Sequence, residues 1–190
     1  MSSRWGDLRD LHFAPYYGWL VEVLLEAIRP DAANGEAPEI PRFEGSRGPG
    51  STAEVDFWTT RDVREVIKSH VNCVVADTRR WEQAAAYHID THPAVRAFVK
   101  NAGFGFAIPY LHNGQVHDYQ PDFIIRLETP EESYLILETK GYDPLAEVKQ
   151  AAAQRWCAAV NAQAGYGHWQ FRMAHQPPEV RGLLDRLQGH

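Results

Sequence analysis

Two apolar runs, FIIRL at Phe123–Leu127 and YLILE at Tyr134–Glu138, stand on either side of the turn-like TPEE at Thr129–Glu132. They read as neighbouring strands, PDFIIRLE and SYLILET, paired antiparallel. The second run then does something odd for a strand being buried: it ends in Glu138, Thr139, Lys140 and Gly141. Side chains alternate along a strand, so Glu138 and Lys140 share a face and Thr139 points the other way. With the turn centred near Pro130, Asp122 falls directly opposite Glu138. Opposed residues on such a pair have Cβ atoms about 4.5–5.5 Å apart. Pro121 allows a bulge or bend that would shift the pairing by one residue.

Two carboxylates so close repel each other unless a cation sits between them, and one pKa rises if none does. Hard oxygen ligands with room for water suit Mg²⁺. The Thr139 carbonyl lies beside the pair as a third protein ligand, and Lys140 can orient a water or stabilise developing negative charge. A metal-activated water next to an ammonium group is equipment for hydrolysing a phosphodiester. Glu-x-Lys alone usually marks a solvated strand edge or a cross-strand salt bridge. Here the apolar strand before it, the Pro-Asp at the matching place on the previous strand and the glycine after it favour a site.

The rest of the chain supplies a frame. A helix is expected over about 15–28, where Leu20, Leu24 and Ile28 recur at helical spacing and Pro30 stops them. Pro30–Gly50 is rich in Gly, Pro, Ala and Glu without a period, a linker or long loop. This divides the chain into residues 1–50, a helix and linker, and residues 51–190, the domain. A strand is expected within STAEVDFWTT, around Glu54–Thr59, a helix over RDVREVIKS, and a strand over HVNCVVAD. ADTRRWEQAAAYHID reads as a helix capped by Asp77 or Thr78, and HPAVRAFVKN as another with Pro93 in its first turn. FAIPYLHNGQVHDYQ is a hairpin on the Asn113-Gly114 turn. Asp143 caps a long helix that begins at Pro144, with Leu145, Val148, Ala152, Trp156 and Val160 on one face. GHWQFRMAH is a last strand and VRGLLDRLQ a last helix. The fold class is α/β, a mixed sheet covered by helices.

Composition sets limits. The 190 residues are enough for one domain burying about 70% of its unfolded surface. The net charge of −6 argues against a broad basic DNA-binding face while allowing a local groove. Cys73 and Cys157 are too few and too far apart for a disulfide framework or a CxxC zinc site, and they fit a reducing, cytoplasmic setting. No secretory pattern opens the chain. Its most apolar run, WLVEVLLEAI, is broken by Glu22 and Glu26, short of the roughly 18 uncharged residues of a membrane span.

YQPDFIIRL and YLILETKG resemble the PD-(D/E)XK nuclease signature. With FVKNAGFGFAIPY before them and the RW, AVN and YGHW segments after, the text from about Ser51 to Leu187 is similar to the C-terminal endonuclease domain of type III restriction enzyme Res subunits and related helicase-nuclease restriction proteins. The resemblance implies a restriction-endonuclease-like fold and Mg²⁺-dependent hydrolysis of DNA, leaving 5′-phosphate and 3′-hydroxyl ends; Mn²⁺ can substitute. It makes Asp122 and Glu138 metal ligands and Lys140 the catalytic lysine. It adds Glu82, on the first core helix, as an acid completing the site. It implies work in phage defence beside an ATP-dependent helicase/translocase and a modification methyltransferase. Cutting both strands with a single active site would need two copies, a homodimer, or two events. The chain departs from such subunits in having no GxxxxGK[ST] phosphate loop, so no ATP site is expected here, and GFGF at Gly103–Phe106 lacks the third glycine of a dinucleotide loop. The expectation is a nuclease part alone, with residues 1–50 as the join to a motor.

Other constellations carry less. Arg79 and Arg80 form the best local basic patch for DNA; Lys149, Gln150 and Arg155 on the long helix could reach phosphates or simply solvate it. His88 and His92 are spaced as metal ligands but lack a third, and a metal-free helix end is the simpler reading. His112 and His117 flank the hairpin tip. Trp156 and Trp169 suit a core better than a stacking platform. Two further functions compete with the nuclease: a DNA-binding or docking module that cuts nothing, and an RNA or single-strand nuclease on the same fold.

Overall fold

The computed structural model of the protein describes residues 51–75, 81–113, 115–139, 143–163 and 165–188. The helix and linker expected before Ser51 lie outside them. The elements are β1 (Val63–Glu65), β2 (Cys73–Val75), α1 (Trp81–Thr91), β3 (Val95–Lys100), β4 (Ile108–His112), β5 (Gln115–Tyr119), β6 (Phe123–Leu127), β7 (Ser133–Thr139), α2 (Ala146–Gln163), β8 (His168–Ala174) and α3 (Pro177–Gln188). A 3-10 turn at Thr52–Glu54 precedes them.

The central sheet has the strand order β3-β6-β7-β8. The β3–β6 and β6–β7 pairs are antiparallel, and β7 and β8 run parallel. A parallel pair needs a long crossover, which α2 provides. Side-chain alternation divides β6 and β7 between two cores. Phe123, Ile125, Leu135 and Leu137 face Ala85, Ala86 and Ile89 of α1 and Val180 and Leu184 of α3. Ile136 faces the other way, with Phe171, against Ala152, Ala153 and Cys157 of α2 and Ile108, Tyr110 and Tyr119 of the β4–β5 hairpin. Burial on both faces is why LIL reads as an unbroken apolar run. Each of these fully buried Leu, Ile and Phe side chains contributes about 1.5–3 kcal/mol. The chain is thus a mixed α/β structure, a mixed sheet flanked by helices, with a separate hairpin on one face. Among the described residues no helix is long and apolar enough to cross a membrane.

Several local expectations hold. The β6–β7 register pairs Phe123 with Leu137 and Ile124 with Ile136, so the next positions in the same register are Asp122 and Glu138. Pro121 introduces no shift within that ladder. His112 pairs with Gln115 across the two-residue turn, and Asn113 has φ 50, the left-handed conformation such turns demand. Asp143 holds the turn that leads into α2, its Oδ1 accepting from the Leu145 N–H at 2.9 Å, while the helix itself begins at Ala146 rather than Pro144.

Three expectations fail. HPAVRAFVKN is no helix; Val95–Lys100 is β3, paired with β6 through a bulge between Val95 and Ala97. Val95 and Val99 have helical spacing, but the gain from pairing with a buried strand overrides that signal. RDVREVIKS is also no helix. It contains β1, a three-residue exposed strand on β2, and the following amides of Ile67 and Lys68 both donate to Asp90 Oδ1. STAEVDFWTT forms no strand: Ser51 Oγ accepts from the Ala53 amide at the start of a 3-10 turn over Thr52–Glu54, and the residues after it are irregular.

Candidate active site at the ends of three neighbouring strands

β3 ends at Lys100, β7 ends at Thr139 and β6 starts just after Asp122. Antiparallel pairing on both sides of β6 brings these three ends together. The backbone continues the contact past the ladder: the Asn101 N–H donates to the Asp122 carbonyl at 2.8 Å. Asn101 fixes the corner with its side chain. Its Nδ2 donates to the carbonyls of Phe106 (2.7 Å) and Pro121 (3.0 Å), and its Oδ1 accepts from the Phe106 amide (3.1 Å).

The charged groups lie on both sides of this corner. Asp122 Oδ2 accepts from the Thr139 amide at 2.8 Å and from the Thr139 hydroxyl at 2.7 Å. Its Oδ1 meets Lys100 Nζ at 3.3 Å, and the same ammonium reaches Glu82 Oε2 at 3.1 Å. Lys100 also lies 5.2 Å from the centre of the Phe123 ring. Glu138 Oε2 accepts from the Tyr119 hydroxyl at 2.8 Å and from the Asp122 N–H at 3.3 Å. Lys149 Nζ, on α2, pairs with Asp143 at 2.8 Å and stands 5.8 Å from the Tyr119 ring.

Burial makes these contacts count. Glu82, Lys100 and Glu138 are 7%, 6% and 2% exposed, and charged residues are almost never so buried unless paired. Burial pushes the Glu82 carboxyl above its ordinary range, against the pull of the Lys100 ammonium. Burial, then the Glu138 carboxylate, pushes the Tyr119 hydroxyl well above its ordinary value, so it stays a donor.

The predicted residues divide accordingly. Asp122, Glu138, Thr139 and Glu82 come together. Lys140, Arg79 and Arg80 lie outside the described residues. Lys149 is near the cluster but paired with Asp143. Arg155 is exposed on α2, and among the described residues no contact brings it to the carboxylates. Sequence reasoning missed Lys100, Tyr119 and Asp143 as members of this neighbourhood. Lys100 was hidden by the helical reading of its strand. Tyr119 is the last residue of β5 and enters the sequence reading only within the hairpin and the YQPDFIIRL match, without a role of its own. For Glu82 a local signal existed: with Ala85, Ala86 and Ile89 it completes the buried stripe of α1, an odd place for a carboxylate.

His92 is committed elsewhere. Its Nε2 bonds Asp185 at 3.1 Å and its Nδ1 accepts from the Ala94 amide at 3.2 Å, which fits the metal-free reading of the His88–His92 spacing. Trp156 and Trp169 pack edge to face beside the second core, with Tyr134 stacked on Trp169 at 4.5 Å. Gly103 and Gly105 have φ +71 and +76, so their turn requires glycine without any phosphate.

Among the described residues no group of three or more His, Cys, Asp and Glu side chains is placed to hold a metal ion. The bonding accounts for this. The Asp122 carboxylate turns toward Thr139 and Lys100, while that of Glu138 turns toward Tyr119. The donor chemistry of Asp122 and Glu138 nonetheless suits a hard cation, being carboxylate oxygen. Asp122 and Glu138 are the pair that would hold it. No protein-family model, curated protein or solved structure matches the chain.

Proposed function

We propose that this chain is a Mg²⁺-dependent endodeoxyribonuclease domain of the PD-(D/E)XK type, with a restriction-endonuclease-like fold. It would serve a restriction system beside an ATP-dependent helicase/translocase and a modification methyltransferase. One observation carries the reading: Asp122 and Glu138 occupy matching positions at adjacent strand ends and are linked by the 3.3 Å bond from the Asp122 N–H to Glu138. A buried carboxylate such as Glu138, next to the half-buried Asp122 at a sheet's end, is costly for stability alone.

In this reading Asp122 and Glu138 hold the metal, with the Thr139 carbonyl as a further oxygen. A bound Mg²⁺ supplies a water of lowered pKa and polarises the scissile phosphate. Thr139 fixes Asp122 through its amide and hydroxyl, and Tyr119 fixes Glu138. Lys140, two residues after Glu138, supplies the cation for the attacking water or the charge that develops on phosphorus oxygens.

The test is a substrate panel in Mg²⁺ and in EDTA: supercoiled plasmid, linear duplex, single-stranded DNA and RNA. The reading expects metal-dependent nicking of duplex DNA that is lost in Asp122→Ala and in Lys140→Ala. Retained cleavage in both variants would sink the site assignment. A second reading, a docking module that cuts nothing, is favoured by the Lys100 ammonium already in place between Glu82 and Asp122. It expects DNA binding in Mg²⁺ with no product at long times.

A further inference from the structure

Lys100 is the residue that the nuclease reading leaves without a task. Its ammonium stands 5.2 Å from the centre of the Phe123 ring, between two carboxylates from different elements, Glu82 on α1 and Asp122 ahead of β6. The two partners differ in freedom. Asp122 cannot turn to follow a moving charge, because its other oxygen is held by the Thr139 amide and hydroxyl at 2.8 and 2.7 Å. Lys100 can move, since a lysine ammonium sits on a flexible four-carbon stem. Glu82, at 3.1 Å, would remain its partner if the 3.3 Å contact to Asp122 opened.

We infer that Lys100 is an internal counter-ion: in the metal-free protein it takes the place beside Asp122 Oδ1 that a divalent cation uses, and metal entry leaves the ammonium on Glu82 alone. The inference rests on the reading of Asp122 as a metal ligand and adds what controls its loading. Two cations at one carboxylate repel, so binding of the divalent ion is opposed by Lys100. The same contact gives Glu82 a use besides metal binding, as the place where the displaced ammonium stays paired. Lys100 acts here through Asp122 and is a positioning residue.

The experiment uses the full chain and Mn²⁺ as the probe, with binding read by its electron spin resonance signal in wild type, Lys100→Met and Asp122→Asn. Lys100→Met is expected to bind Mn²⁺ about tenfold tighter or more than wild type, although it melts lower in EDTA; a purely structural lysine would give equal or weaker binding. Binding in Lys100→Met but not in wild type is the same result in stronger form. Equal binding in the two overturns the role of Lys100 and leaves Asp122 as a ligand. Absence of binding in both overturns the metal reading and this inference with it, as does undiminished binding in Asp122→Asn. Should Lys100→Met fail to fold, the nitrogen resonance of the Lys100 ammonium in wild type decides, assigned by its loss in Lys100→Arg. It is expected to shift on addition of Mg²⁺, and an unmoved signal at saturating Mg²⁺ overturns the proposal.

Discussion

Tyr119→Phe removes one oxygen from a side chain that is 3% exposed and leaves its ring against Phe171. The bond lost is the 2.8 Å donation to Glu138 Oε2, which also accepts from the Asp122 N–H at a longer 3.3 Å. A hydrogen bond to a charged group contributes about 1.5–3 kcal/mol, so the variant should lose about 2 kcal/mol near neutral pH. In a domain of this size that lowers Tm by about 4–8 °C. The pH dependence sharpens the test. The folded hydroxyl ionises well above 10.0, while the unfolded one ionises near that value. Above about pH 10 the folded state therefore keeps a proton that the unfolded chain has lost, and wild-type stability falls by about 1.4 kcal/mol per pH unit from this group. Phe has no such term. The gap between the two proteins should stay constant up to about pH 9 and narrow above about pH 10. Urea unfolding followed by tryptophan fluorescence measures it. A gap below about 0.5 kcal/mol at neutral pH, or one that does not narrow in alkali, would refute the claim that Tyr119 is a buried donor to a charged Glu138.

Three further changes probe the corner. The folded Glu82 carboxyl lies above 4.5, so wild type loses stability as pH rises from that value through the folded one. Glu82→Gln should abolish that loss and cleave less; urea midpoints across pH and plasmid nicking on one preparation check both. Asn101→Ala breaks three side-chain hydrogen bonds at the Phe106–Pro121 corner, which should cost about 3 kcal/mol and speed hydrogen exchange at the Phe106 amide. Thr139→Val keeps the shape and the amide bond but loses the 2.7 Å hydroxyl bond to Asp122; weaker Mn²⁺ binding with a stability loss of about 1.5–3 kcal/mol is expected by titration and denaturation.

The legible part of this chain is the part where local chemistry and tertiary structure agree. FIIRL and YLILE carried their own register because burial on both faces and a short turn leave little choice. Asn-Gly and Asp-Pro fixed the hairpin and the start of α2 through backbone requirements that hold in any context. The β3 segment shows the opposite case. VRAFVKN has apolar residues at both helical and strand spacings, and only the neighbouring β6 decides between them. That one ambiguity concealed Lys100, because a lysine on an isolated helix has no reason to meet Asp122. Tyr119 and Asp143 were hidden differently. Tyr119 ends β5 and its partner Glu138 lies on β7, while Asp143 stands in the turn ahead of α2, where its capping pattern says nothing of the cluster.

The most direct test of the central claim is a Mg²⁺ digest of supercoiled plasmid run in heavy-oxygen water, with Glu138→Gln protein alongside. A water activated between Asp122 and Glu138 predicts 5′-phosphate ends carrying one heavy oxygen, 3′-hydroxyl partners, and loss of both products in the variant. No cleavage in Mg²⁺, or cleavage that Glu138→Gln retains, would contradict it.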